Sequence, residues 1–233
     1  MNIINIIRKY VGSLIFFPLF IFWTFLITIS GLFASFFYDD INFFVNAWGK
    51  NTLVMLRILI GLKVEFKGNI PTHGIVASEH QSTLEIIALS AVLKFPIFVL
   101  KKSLIKVPIF GMLLKATGMI PVDRKSFNSG WMEIAKKQIK ENNKTLIVFP
   151  EGTRTKFGEI VPYKKGVFRL AEKINEKIYP VAINSGLYWG RKMTFKDSGV
   201  AIIAFGDPIE PDIDGLRNAV AALHKKYDMH IKR

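Results

Sequence analysis

Gly74-Ile75-Val76-Ala77-Ser78-Glu79-His80-Gln81-Ser82-Thr83-Leu84-Glu85-Ile86-Ile87-Ala88-Leu89 changes character twice along its length. The apolar run from Gly74 to Ser78 reads as a short buried strand. From Leu84 to Leu93 the chain is long enough, and rich enough in Leu and Ala, to be a helix. His80 therefore sits in a tight strand-to-helix turn, a joint from which α/β folds are built. With Ser82 as N-cap, Glu85 falls at N3, where a side chain can fold back over the helix start. Two readings follow. In one, the Glu85 carboxylate reaches an imidazole nitrogen of His80, which fixes the tautomer and stabilises an imidazolium. In the other, Ser82-Thr83-Leu84-Glu85 is an S-x-x-E capping box and Glu85 serves only a backbone N–H.

The same alternation runs through the rest of the chain beyond Leu62. Candidate strands cover residues 63–66, 74–78, 97–100, 119–122, 145–149, 179–183 and 200–205. Candidate helices begin near Ser82, Pro108, Ser129, Lys165 and Asp212, the last with Leu216, Ala219, Val220, Leu223 and Tyr227 on one face. This pattern predicts an α/β domain over residues 63–233, a mostly parallel mixed sheet covered by helices.

Residues 1–62 differ. No charged side chain occurs from Tyr10 to Tyr38, and a helix over that span, at about 1.5 Å per residue, exceeds the roughly 30 Å hydrocarbon core. The apolar stretch is longer than the signal-peptide core of about 7 to 15 residues, so it reads as a retained hydrophobic anchor. Residues 41–62 are also apolar but carry Lys50 and Arg57, which suits a helix at the membrane interface. With Pro18 as a kink and Gly31 as a weak point, the two segments are expected to form a helical hairpin embedded from one side, both ends cytoplasmic. A single crossing is the alternative, in which Arg8 and Lys9 keep the N-terminus inside.

A chain of 233 residues suffices for one substantial domain and an accessory segment. Half of it is hydrophobic and 20 residues are Phe, more apolar surface than a soluble domain needs, which points to a membrane. The absence of cysteine removes disulfides, thiolate metal sites and a cysteine nucleophile together. The net charge is +14, and residues 1–60 hold only Arg8, Lys9, Lys50 and Arg57 against Asp39 and Asp40, so the α/β part is strongly basic. Such a surface suits an anionic partner: phospholipid, phosphorylated substrate, acidic carrier protein or nucleic acid. A nucleic-acid module should interleave aromatic residues with its basic patches, whereas most Phe here lies in the N-terminal third or at core positions, so no nucleic acid is expected.

Three further stretches end an apolar strand with basic or polar groups: Leu100-Lys101-Lys102-Ser103-Leu104 leading to Pro108 and Gly111, Pro121-Val122-Asp123-Arg124, and Phe149-Pro150-Glu151-Gly152-Thr153-Arg154. Ligands in open α/β sheets collect at the carboxyl ends of strands, so these groups can converge with His80 on one crevice. There is no G-x-S-x-G elbow, no Walker loop and no dinucleotide glycine fingerprint, and no ligand spacing supports a metal site on Glu79, His80 and Glu85. His73, His224 and His230 have no partner pattern and are expected at the surface.

In that order, with Tyr179-Pro180-Val181-Ala182-Ile183 following, the stretches resemble the four blocks of the glycerolipid acyltransferases over residues 64–206, and by length the bacterial 1-acylglycerol-3-phosphate acyltransferases. The family usually has Asn before the histidine and Asp after four intervening residues; here Glu79 and Glu85 take those places, and a small shift at the helix start is expected to absorb the extra methylene. The resemblance implies transfer of a fatty acyl group from a thioester to the free sn-2 hydroxyl of a lysophospholipid, giving phosphatidic acid. His80 would be the general base and Glu85 its orienting acid. Lys101, Arg124 and Arg154 would meet the acceptor's phosphate, with Glu151, Gly152 and Thr153 in the same substrate-binding block. No resident cofactor is implied; acyl carrier protein or coenzyme A supplies the thioester as co-substrate. The setting implied is the inner membrane, with the catalytic domain on the cytoplasmic side. Another lyso-lipid acceptor, such as a lyso-amino-lipid, and a non-catalytic basic membrane-surface or nucleic-acid-binding module are the competing readings.

Overall fold

Strand β2 (Gly74–Ser78) is buried at every residue because it is the middle strand of a seven-stranded sheet. The computed structural model describes residues 3–123, 130–190 and 195–232. Around β2 the strands run in the order β1 (Leu62–Lys67), β7 (Gly199–Phe205), β6 (Ile178–Ile183), β2, β5 (Thr145–Val148), β3 (Pro96–Lys101) and β4 (Ile120–Val122). Neighbours are parallel except β6 and β7, which pair antiparallel through Val181 and Phe205. The mostly parallel mixed sheet read from the sequence is therefore present.

Period-two alternation sends side chains to two cores. On one face Ile75, Ala77, Leu146 and Ala182 pack against α6 (Gly130–Lys140), α7 (Gly166–Ile174) and α8 (Ile213–Lys226). Leu216, Val220 and Leu223 of α8 are buried there, and the Asp212 carboxylate caps that helix by accepting from Gly215 N–H. On the other face Val76, Ile147 and Val181 meet Ala88 and Leu89 of α4 (Leu84–Val92). A 3₁₀ turn (Lys102–Lys106), not foreseen in the sequence, leads from β3 into α5 (Phe110–Ala116).

The N-terminal helices cover this second face. Residues Ile3–Ala34 form one continuous apolar helix, made of α1 (Ile3–Ile7), a π-helical turn (Arg8–Gly12) and α2 (Ser13–Ala34); it is long and apolar enough to cross a membrane. The helix runs through Gly31 without a break. That glycine serves close packing, since a Cβ there would lie 2.9 Å from Leu113 of α5. After a short link, α3 (Asn42–Met55) continues as a second π turn (Leu56–Ile60) into β1. Helix α3 lies on α4 with Gly49 at the crossing, where a Cβ would stand 2.6 Å from the Ala91 backbone nitrogen. Asn46 fixes the pair by donating to the Ser90 and Leu93 carbonyls at 2.7 and 2.8 Å. Phe16 and Phe20 of α2 pack with Leu56, Ile60, Leu84 and Trp189 in a third core, so the N-terminal segment is joined to the α/β unit by apolar burial worth roughly 1.5–3 kcal/mol for each large side chain.

Candidate active site

Because β2, β3, β5 and β6 are parallel, their carboxyl ends share one edge of the sheet, and the groups that follow them meet there. His80 Nδ1 lies 2.8 Å from Glu85 Oε1. The same oxygen accepts from the backbone N–H groups of Gln81 and Ser82 at 2.7 and 2.6 Å, while Oε2 accepts from the hydroxyls of Ser82 and Ser185 at 2.8 and 2.7 Å. Ser82 Oγ in turn accepts from Leu84 N–H. The first reading of Glu85 is the one observed, with part of the second: the carboxylate holds the imidazole and also accepts from backbone N–H groups ahead of the helix, but the N-cap is Thr83 and not Ser82, and its side chain makes no cap hydrogen bond. The added methylene is taken up in this wrap, with the helix beginning at Leu84 after Thr83.

Glu85 is fully buried. Burial alone pushes its carboxyl up, but the hydrogen bond and charge of His80, then the Ser185 hydroxyl and the Ser82 amide, together hold it below the usual carboxylate range. An ionised carboxylate is acceptor only, so His80 Nδ1 carries the hydrogen and Nε2 is left as the free acceptor. Phe149, just past β5, stacks on the imidazole with ring centroids 4.0 Å apart and fixes its plane.

His80 lines a cavity of about 800 Å³ whose walls are otherwise mostly apolar. Phe20 and Ile27 of α2, Trp48 of α3, Ile86 of α4, Leu100 of β3 and Leu113 of α5 belong to those walls, so the N-terminal helices form one side of it. Trp48 Nε1 donates to Thr24 Oγ1 at 3.0 Å, which sets the α2–α3 spacing there. Apart from His80, Lys101 and Arg154 are the ionisable side chains on the lining among the described residues, and Thr153 joins them. Arg154 is steered by donating to Thr83 Oγ1 at 3.1 Å. Arg124 lies outside the described residues.

Glu151 and Gly152 do not line the cavity. Gly152 adopts φ +66°, a left-handed conformation suited to glycine, and its N–H donates to the Phe149 carbonyl at 2.9 Å to close the turn. Thr155 then donates its N–H to the His80 carbonyl at 2.8 Å, clipping this loop to the histidine turn. Glu151 is buried beside Glu79 and Tyr163, pairs with no basic residue among the described ones, and leaves Oε2 without a partner. Burial, then the negative charge of Glu79, push its pKa to about 9. The acid is therefore neutral at pH 7.

His224 corrects the expectation of a surface residue. Its Nε2 donates to Glu79 Oε2 at 2.7 Å, and the same oxygen accepts from Ile183 N–H at 2.9 Å. Only the departure of Glu79 from the family pattern hinted at such a partner. His73 and His230 are exposed, as read. Gln81 adds two further ties to the end of β6, donating to the Ile183 carbonyl and accepting from Gly186 N–H. Ser185, Gln81 and His224 all support the turn, and none is given that role by the sequence reading.

The family model described as Acyltransferase matches residues 61–184. A 1-acyl-sn-glycerol-3-phosphate acyltransferase of Pseudomonas aeruginosa is 30% identical over 192 residues, 80% of this chain and 74% of that protein. One from Helicobacter pylori is 40% identical over 133 residues, 54% of this chain and 56% of that protein. Among solved structures, the 1-acyl-sn-glycerophosphate acyltransferase of Thermotoga maritima has a similar fold, with TM-score 0.73 at 23% identity, covering 95% of this chain and 96% of that one.

Proposed function

The chain belongs to the acyltransferase family, and from that premise we propose that it transfers a fatty acyl group from a thioester to the free sn-2 hydroxyl of 1-acylglycerol-3-phosphate, giving phosphatidic acid. The observation that carries the mechanism is the His80–Glu85 contact at 2.8 Å, with the ring at the wall of a large apolar cavity. His80 Nε2 takes the hydroxyl proton as the alcohol oxygen attacks the thioester carbonyl carbon. The tetrahedral centre collapses, the C–S bond breaks, and the imidazolium returns the proton to the departing thiolate. The acceptor's hydroxyl is the nucleophile, so no serine or cysteine elbow is needed. Glu85 stabilises the imidazolium, and Ser185 and the Gln81 and Ser82 amides hold that carboxylate in place.

Lys101 and Arg154 meet the acceptor's phosphate at the mouth, Lys as a point charge and Arg through its planar fork, with Arg124 assigned to the same task from its block in the sequence. The acyl chain lies in the apolar cavity. Its volume falls within the roughly 300–1,000 Å³ of small-molecule sites. The donor is the thioester of acyl carrier protein or coenzyme A, and no resident cofactor is needed. The apolar N-terminal helix, long enough to cross a membrane, supports a membrane location; we assign the enzyme to the inner membrane, with the α/β unit on the cytoplasmic side and residues 1–62 as the embedded segment.

The test is acyl transfer by purified full-length protein, with donor and acceptor varied independently. Lysophosphatidic acid should be acylated well ahead of lysolipids whose phosphate carries an alcohol substituent. Equal turnover of a lyso-amino-lipid would overturn the acceptor, and no transfer to any lysolipid would overturn the activity.

A further inference from the structure

We propose that the 3₁₀ turn Lys102–Lys106 and the start of α5 form a second membrane-contacting element, a lip that seats on an anionic phospholipid surface at the mouth of the cavity. The inference rests on the reading of this site as a lysolipid acyltransferase.

Four large apolar side chains stand out from this short stretch: Leu104, Val107 and Ile109 are 41–44% exposed and Met112 is 60% exposed. They are not scattered surface residues, because Leu104 also lines the cavity together with its neighbours Phe110 and Leu113. An exposed apolar cluster continuous with an apolar pocket marks an interaction site.

The lip is built, not slack. Phe110 N–H donates to the Pro108 carbonyl at 2.6 Å, with Ile109 at φ +63° and ψ −59°, a γ-turn rarely adopted by a β-branched residue. Gly111 lets the backbone cross here, since a Cβ would come within 2.2 Å of the Ile105 carbonyl oxygen. This turn holds Ile109 outward.

Charge selects the occupant. From Pro96 to Val122 there is no acidic residue, while Lys101, Lys102, Lys106 and Lys115 are all exposed. Apolar side chains ringed by lysines fit the headgroup–acyl boundary of an anionic monolayer. Position agrees: α5 meets the apolar helix α2 at Gly31 and Leu113, and Phe33, Phe36, Phe37 and Phe43 are exposed around the nearby end of that helix. The lip thus continues the apolar face of the N-terminal segment around the cavity mouth, and a lysolipid can slide in without leaving the monolayer.

The chain has no cysteine, so single environment-sensitive labels are simple to place. Full-length Met112→Cys, Phe22→Cys on α2 and Asn142→Cys at the amino end of β5 are labelled and reconstituted into phosphatidylglycerol–phosphatidylethanolamine vesicles carrying headgroup-level nitroxide lipids. The Met112 and Phe22 labels should be quenched and the Asn142 label should not. With phosphatidylcholine alone the Met112 quenching should fall while that at Phe22 persists. The double variant Val107→Ser/Met112→Ser should lose about tenfold in turnover of vesicle-borne lysolipid and keep its turnover of a water-soluble short-chain acceptor. Quenching at Phe22 without quenching at Met112 overturns the lip and leaves the enzyme reading intact. Quenching at neither removes the lip and the membrane segment together. Quenching at Met112 in a protein that acylates no lysolipid overturns the enzyme reading and the lip's role with it. A Met112 label shielded in lipid-free protein as concentration rises, and blind to nitroxide lipids, identifies a second copy of the chain as the occupant and overturns the proposal.

Discussion

Glu85 accepts at both oxygens, and the two sets of donors differ in kind. Oε1 faces N–H groups of His80, Gln81 and Ser82, whereas Oε2 faces only the hydroxyls of Ser82 and Ser185, which can turn to accept as well as donate. Glutamine therefore fits the site with its carbonyl oxygen toward the three N–H groups and its NH2 toward hydroxyls turned to accept, but brings no charge. Glu85→Gln should stay folded, with a melting temperature within a few degrees of the wild type, and lose about 10² to 10⁴ in kcat, as should His80→Ala. Normal turnover in Glu85→Gln would reduce Glu85 to a cap. Glu151 makes an opposite prediction for stability. Its carboxyl keeps its proton in the folded protein up to a pKa of about 9, whereas in the unfolded chain it ionises near 4.5. The folded state then binds more protons between those values, so its stability falls as pH rises through that window, by about 3 kcal/mol at pH 7. Glu151→Gln should be more stable than the wild type at pH 8 and show a flatter dependence of melting temperature on pH. An unchanged pH profile would show an ionised Glu151.

Glu79 and His224 join elements distant in the chain: β2 runs into the turn, β6 offers Ile183, and α8 brings the imidazole from the far end of the sequence. A hydrogen bond to a charged group contributes about 1.5–3 kcal/mol. His224→Ala should lower kcat with little change in KM, His224→Gln should restore most of it by keeping a donor, and a double-mutant cycle with Glu79→Gln should show coupling of that size. Strict additivity would detach α8 from the turn. This linkage also explains which parts of the site could be read beforehand. The strand, the turn and the helix around His80 are local, carried by periodicity within a dozen residues, and they stand as read except that the cap falls on Thr83, one residue after Ser82. Ser185 and His224 reach the site only through sheet order and the packing of α8, which no local pattern encodes. The π turns are equally silent in sequence; they cross where a Cβ on Gly12 would come within 2.2 Å of the Leu59 carbonyl oxygen, a property of two segments and not of either.

Across the molecule as a whole, the N-terminal segment is a wall of the cavity and not merely a tether. Phe20 and Trp48 line it, and Phe16 is completely buried against Leu56 and Trp189. Deleting residues 1–40 should therefore abolish turnover even of a water-soluble acceptor in detergent and leave an aggregation-prone remainder; a soluble, active fragment would make the segment dispensable. Its apolar length was legible in the sequence, but its part in the cavity was not, because a hydrophobic run looks alike whether it meets lipid or protein. The pairing of β1 with β7, Leu62 opposite Gly199, carries a consequence for biogenesis. During translation the apolar amino end is made on the order of ten seconds before the ribosome delivers the partner that completes the sheet edge. For that interval the nascent chain exposes an unsatisfied ladder beside a long apolar helix. Early capture by a chaperone or the insertion machinery would shield it from neighbouring nascent chains.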